Sequence, residues 1–136
     1  MPFFVGAARA DDRRENTVPI RSRAEHRRGG EPMYRHRSYA QVLYGHFNDY
    51  LKANDELNAI ARKRGWPEST VWTPVVGRGN DVVLEEEYAD LATFAKVAEA
   101  FSSDAEAMKI FRSTASLVVQ GSIRGELFEE VKNPLA

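Results

Sequence analysis

Residues 70–94, TVWTPVVGRGNDVVLEEEYADLATF, constrain the fold more than any other part of the chain. Two runs rich in β-branched residues flank Gly77-Arg78-Gly79-Asn80, which tolerates the positive φ of a hairpin turn, so strands are expected over 70–76 and 81–88. Pro74 cannot donate to a sheet ladder, which places the first of them at an edge. Asp90 stands where a helix N-cap belongs, ahead of an apolar stripe through Leu91, Phe94, Val97 and Phe101. Ser102-Ser103-Asp104 interrupts that stripe, and Asp104 can cap a continuation through Met108, Phe111 and Ala115.

Loose alternation over 34–43 predicts another strand, with Tyr34, His36, Ser38, Ala40 and Val42 on one face and Arg35, Arg37, Tyr39, Gln41 and Leu43 on the other. Neither face is purely apolar, so both are expected to be covered, with at least one bordering a polar cavity. Gly45 ends the strand, and residues 46–64 predict a helix whose stripe is Phe47, Tyr50, Leu51, Asn54, Leu57, Asn58 and Ala61. Gly65 stops it and Pro67 prevents its resumption. The two asparagines are expected at the hydrated edge of the stripe. A closing strand is predicted over 121–131, GSIRGELFEEV. The order is βαββαβ, an α+β domain of ferredoxin-like topology, in which a four-stranded antiparallel sheet carries both helices on one face.

A chain of 136 residues, 43% apolar and 29% charged, is suited to one core. The absence of cysteine excludes disulfides, a thiolate nucleophile and Cys-based metal centres, and it fits a cytoplasmic setting. A net charge of −1 supplies no global field for nucleic acid or an anionic membrane, and no apolar run reaches the roughly 20 residues of a membrane span. Neither is expected as a partner. Residues 1–32 differ from the rest: seven Arg, no Lys, five acidic residues and no periodicity predict a disordered arm ahead of a domain over 33–136. Arg28-Gly29-Gly30-Glu31 can be encoded by a purine-rich run of the kind that binds bacterial ribosomes, so Met33 is the expected initiator.

Because helices cover one face of such a sheet, the other is expected to be polar or buried by a partner. Trp72, Val76, Val82, Leu84 and Phe128 are too apolar for an open wet sheet. On the hairpin VWTPVVGRGNDVVLEEEYADLATF, the helix break at Asp104 and the closing strand, the chain resembles the dimeric α/β-barrel superfamily over 33–131. That superfamily includes NIPSNAP-like and antibiotic-biosynthesis-monooxygenase-like proteins. The resemblance implies a homodimer whose sheets pack face to face into a barrel, with a small-molecule cavity in each half and no conventional cofactor. It also implies that the Tyr88 face lines the barrel, so that Glu85 and Glu87 point toward the helices, where Arg37 and Asn54 or Asn58 can pair with them. His36 is then the histidine placed to face the barrel. Haem chemistry is not implied, since neither Ser38 nor Tyr88 matches the Asn, Trp and His of the haem-degrading branch.

Candidates for acid–base chemistry are His36, Glu85, Glu87 and Tyr88. Candidates for binding a ligand are Arg37, Asn54, Trp72, Glu86 and Arg124. Arg37 with Glu85 and Glu87 equally forms a structural network that sets register, Trp72 suits packing at a dimer interface, and Arg124 beside Glu126 either holds an anion or pairs within the sheet. No metal is expected, because the three histidines lack partners at ligand spacing. Phosphate-loop and nucleophile-elbow motifs are absent. The leading expectation is a homodimeric, NIPSNAP-like protein that binds a small organic molecule. The alternatives are a cofactor-independent monooxygenase or isomerase acting on an aromatic or polyketide-like substrate, and a non-catalytic interaction module.

Overall fold

Two central strands organise the sheet. In the computed structural model, which describes residues 33–132, β1 (Tyr34–Gln41) pairs antiparallel with β3 (Asp81–Tyr88) along its whole length, Tyr34 opposite Tyr88 and Gln41 opposite Asp81. The arm expected over 1–32 lies outside the described residues. Strand β2 (Thr70–Trp72) flanks β3 and β4 (Arg124–Glu129) flanks β1, giving the order β2-β3-β1-β4 with every pairing antiparallel. This is the expected ferredoxin-like α+β sheet.

Side chains on the central strands alternate strictly. Val82, Leu84, Glu86 and Tyr88 are buried on β3, with His36, Ser38 and Ala40 beside them on β1. Leu84, Val42 and Val82 form the centre of the core. Over this face lies α1 (Phe47–Arg64), which buries Tyr50, Ala53, Asn54, Leu57, Ile60 and Ala61. It ends at Gly65, whose φ of 76° favours a residue without Cβ, and Trp66 N donates to Ala61 O at 2.8 Å to close the last turn. Helix α2 (Leu91–Ser103) is capped by Asp90, whose Oδ1 accepts from Thr93 N at 2.7 Å. Asp104 repeats the device for α3 (Ala105–Ser113), accepting from Ala107 N at 2.9 Å. The aromatic series Trp66, Phe101 and Phe111 ties the three helices together.

Several expected boundaries move. Strand β2 ends at Trp72 instead of residue 76, because Thr73-Pro74 cannot extend the ladder and residues 73–80 form a wide connection, not a tight hairpin. Val75 and Val76 stand fully exposed there, and Gly77 has a φ of 147° with space for an added Cβ limited by Pro74 at 3.0 Å. Asn80 pins the connection to the end of β1, its Nδ2 donating to Val42 O and its O accepting from Val42 N. The last strand covers only 124–129 of the expected 121–131, since the preceding segment turns and Ser122 Oγ accepts from Gln41 N. The first strand stops at Gln41, with Val42 making a single bridge to Val118. The helix expected from residue 46 begins at Phe47. Among the described residues, no helix is long and apolar enough to cross a membrane.

Candidate functional site

The strand register decides which carboxylates meet which partners. Glu86 lies opposite His36, and both belong to the face that carries Leu84 and Ala40, so both are driven beneath the helices. His36 is 4% exposed and Glu86 6%, and Nδ1 of the ring lies 2.9 Å from Glu86 Oε2. Ser69, just ahead of β2, donates from Oγ to Glu86 Oε1 at 2.7 Å. Burial alone would raise the Glu86 carboxyl pKa, and the hydrogen bonds from His36 and Ser69 oppose that by favouring the carboxylate.

Two phenols share the neighbourhood. Burial, reinforced by the Glu86 charge, pushes Tyr50 up to about 12 and pushes Tyr88 upward as well. Both are therefore hydrogen-bond donors at neutral pH. Phe94 of α2 packs edge-on against Tyr88, with ring centroids 5.1 Å apart, and lies 5.4 Å from the His36 ring. A cavity of about 40 Å³ opens between α1, α2 and the β2 side of the sheet, lined by Asn54, Ser69, Glu86, Tyr88, Trp66 and Phe101 among others. Asn54 is only 3% exposed, yet its amide has no hydrogen-bond partner among the described residues, and the Tyr50 and Tyr88 hydroxyls share that condition. The expectation that Asn54 sits at a hydrated helix edge is corrected: the α1 stripe faces the sheet squarely. Asn58 does find partners, both of them backbone atoms of Ser69.

The expected facing of the acidic residues is reversed. Glu85 and Glu87 point away from the helices, onto the open face of the sheet, because they alternate with Leu84, Glu86 and Tyr88, which the core claims. Arg37 does reach Glu85, Nε to Oε2 at 2.8 Å, while Arg35 bridges Glu85 at 3.2 Å and Glu87 at 2.9 Å. Asn54 lies on the opposite side of the sheet from this network. His36 and Tyr88, expected to line a barrel between two sheets, instead lie between the sheet and its own helices. The open face also carries Trp72, Tyr39, Arg124, Glu126 and Phe128, with the Arg37 guanidinium 4.9 Å from the Phe128 ring centroid and Arg124 4.2 Å from that of Tyr39. Arg124 bonds Glu126 at 3.3 Å. A groove of about 730 Å³ runs beside Trp72, Tyr39, Arg78 and Arg124. Among the described residues, no group of three or more His, Asp or Glu side chains converges to hold a metal ion.

Ser69 and Gly125 belong to the inner site although no motif marks them. His36 shares the parity of Ala40 and Glu86 that of Leu84, but that the two face each other is set by the register of β1 against β3.

No family model matches the chain, and no curated protein matches its sequence. Solved structures do match its fold. A NIPSNAP family protein from Agrobacterium tumefaciens superimposes with a TM-score of 0.61 at 17% identity, over 78% of this chain and 93% of that one. A second NIPSNAP family protein of unknown function from the same organism gives 0.60 at 16%, covering 78% and 95%. A predicted antibiotic biosynthesis monooxygenase from Nitrosomonas europaea gives 0.56 at 15%, covering 73% and 90%. The chain thus has the fold of the NIPSNAP-like and antibiotic-biosynthesis-monooxygenase-like proteins, as the resemblance implied; a shared fold leaves the chemistry to be argued from the site.

Proposed function

We propose that this protein binds a small organic molecule between its helices and the inner face of its sheet, and that it does so as a homodimer joined through the open face. The observation that carries the binding reading is the Asn54 amide, buried and without a hydrogen-bond partner among the described residues, beside Ser69, Glu86 and Tyr88 in a cavity. Leaving a buried amide unsatisfied costs about 1–3 kcal/mol, an expense that a ligand's polar group would offset. At about 40 Å³ the cavity suits a polar head group, with the remainder of the ligand extending past Trp66 and Phe101.

The dimer reading is supported by the composition of the open face. Trp72 is 55% exposed and Phe128 42%, on a sheet whose other face is covered, and the groove beside Trp72 offers room for a second copy. The cysteine-free sequence suits a cytoplasmic setting for this dimer.

A second reading is favoured by one specific observation, the buried His36–Glu86 pair at 2.9 Å. A carboxylate that holds an imidazole equips the site for general-base catalysis, as in a cofactor-independent monooxygenase or isomerase acting on an aromatic or polyketide-like substrate. Tyr88 would then serve as a hydrogen-bond donor to a developing oxyanion.

Native mass spectrometry of protein purified from its own source tests the first reading. A dimer mass carrying a retained small molecule is the expected result. A ligand-free spectrum that persists after incubation with a cell extract's small-molecule fraction would sink the binding claim, and a monomer would sink the assembly.

A further inference from the structure

The polar groups that line the cavity between α1, α2 and the β2 side of the sheet restrict what can fill it. Asn58 is committed elsewhere: its Oδ1 accepts from Ser69 N at 2.8 Å and its Nδ2 donates to Ser69 O at 2.9 Å. Ser69 Oγ in turn donates to Glu86 Oε1 at 2.7 Å. Two lining groups stay without a hydrogen-bond partner among the described residues, the Asn54 amide and the Tyr88 hydroxyl. Both residues are buried. Asn54 therefore offers one carbonyl acceptor and one NH2 donor, and Tyr88 offers an O–H that burial, reinforced by the Glu86 charge, keeps protonated. The charge of the wall has a single sign: Glu86 lines the cavity, no described Lys, Arg or His does, and Arg35 and Arg37 lie on the opposite face of the sheet.

These features sort the possible head groups. A carboxylate or phosphate only accepts, so it leaves the Asn54 carbonyl unpaired and brings negative charge toward Glu86. An ammonium only donates, so the Asn54 NH2 and the Tyr88 O–H stay unpaired. A ketone answers those two donors but again leaves the Asn54 carbonyl without a donor. A carboxamide is uncharged and carries both kinds of group in one plane: its oxygen accepts from Asn54 Nδ2 and the Tyr88 hydroxyl while its N–H donates to Asn54 Oδ1. We propose that the inner cavity recognises a carboxamide head group, with Asn54 and Tyr88 as the residues that bind it and Glu86 as the residue that rejects anions. Trp66 and Phe101, which line the same cavity, give the rest of the molecule an aromatic wall. This rests on the binding reading above and adds the chemical class of the head group.

Titration of the full-length chain with four probes of similar size provides the test: benzamide, benzoate, benzylamine and acetophenone. Nitrogen-15 spectra of the side-chain amides report binding, with the Asn54 NH2 signals identified by their loss in Asn54→Leu. Benzamide should shift those signals and bind about tenfold tighter than each of the other three. Asn54→Leu should erase the preference for benzamide over acetophenone, and Glu86→Gln should narrow the gap between benzamide and benzoate. Should either variant fail to fold, Tyr88→Phe decides, because it keeps the ring and should still weaken benzamide about tenfold; unchanged affinity would overturn the inference. Benzoate or benzylamine binding as tightly as benzamide would discard this inference and leave the binding reading in place, as would a retained molecule that lacks a carboxamide. Failure of all four probes, with the Asn54 NH2 protons in contact with one long-lived water, would mean a buried water only and overturn the proposal. If native mass spectrometry then also finds no retained molecule, the binding reading falls with it.

Discussion

Asn54 is the residue where burial and bonding disagree most. A core amide of ordinary structural purpose is paired, and its loss leaves an unpaired group behind. Here the amide itself has no partner among the described residues, so Asn54→Leu, which keeps the volume and removes the polar atoms, should leave stability unchanged or raise it by about 1 kcal/mol while abolishing ligand retention. Urea denaturation beside native mass spectrometry checks both halves; a loss of several kcal/mol would make Asn54 a structural residue. Leu84 supplies the contrast. Only 1% exposed at the centre of the core, it should cost about 2–5 kcal/mol on truncation to Ala in the same denaturation experiment. Of the residues singled out from sequence, His36, Glu86, Tyr88 and Asn54 converge on the inner site, whereas Arg37, Glu85, Glu87, Trp72 and Arg124 share the open face. The division was hidden because EEEY places charge at both parities, and only the register against β1 shows which carboxylates the core accepts.

Among the elements, the junction between α2 and α3 is the most legible in sequence and the easiest to perturb. Asp104 there performs two tasks: Oδ1 caps α3 and Oδ2 accepts from Arg64 Nε at 2.9 Å, tying the end of α1 to the start of α3. Asp104→Ala should therefore cost about 1 kcal/mol, the usual value of an N-cap. Asp104→Asn keeps the cap and removes the charge, so it isolates the ion pair. The Ala107 N–H bond first, and then the Arg64 guanidinium, hold the Asp104 carboxyl below its ordinary range. A lowered folded-state pKa means stability that is fully present above the ordinary Asp value of about 4 and lost as pH falls through the lowered one. The stability gap between wild type and Asp104→Asn should accordingly be present at pH 7 and shrink as the pH is taken below about 4. Denaturation curves at the two ends of that window check the sign, and a gap that widened in acid would contradict it. Strand β2 teaches the opposite lesson: its apolar run continues to Val76, but Pro74 and Gly77 turn the chain away from the sheet before the pattern ends.

For the whole molecule, the open face raises the question of assembly. Its arginines and glutamates are already matched within one chain, and Arg37 and Arg124 lie over aromatic rings, so the face is a stiff, pre-formed surface. Trp72 and Phe128 rise from it at opposite edges, on β2 and β4. If the proposed dimer forms here, Trp72→Glu or Phe128→Glu should shift the protein from dimer to monomer in sedimentation velocity with the circular dichroism spectrum unchanged, because each side chain is half exposed in the single chain. A wild-type monomer at micromolar concentration would end the proposal. Solubility of the two variants gives a further check, since a face that must be covered aggregates less when it carries added charge.

By itself, the sequence determined the order and type of the elements. Caps at Asp90 and Asp104, the αL stop at Gly65 and period-2 alternation on β1 and β3 are local instructions, each readable within a few residues. Only the tertiary structure decided which face of the sheet is the inside. Alternation states that neighbouring side chains part company but not to which side, and on β1 and β3 polar residues occur at both parities. The choice follows from packing: Val82 and Leu84 must lie under the helices, and their parity carries His36 and Glu86 inward with them while Glu85 and Glu87 are sent to the opposite face. Ser69 and Gly125 join the site for the same reason, brought to Glu86 and His36 from 17 and 89 residues away by strand pairing and the end of α1, contacts that no stretch of sequence contains.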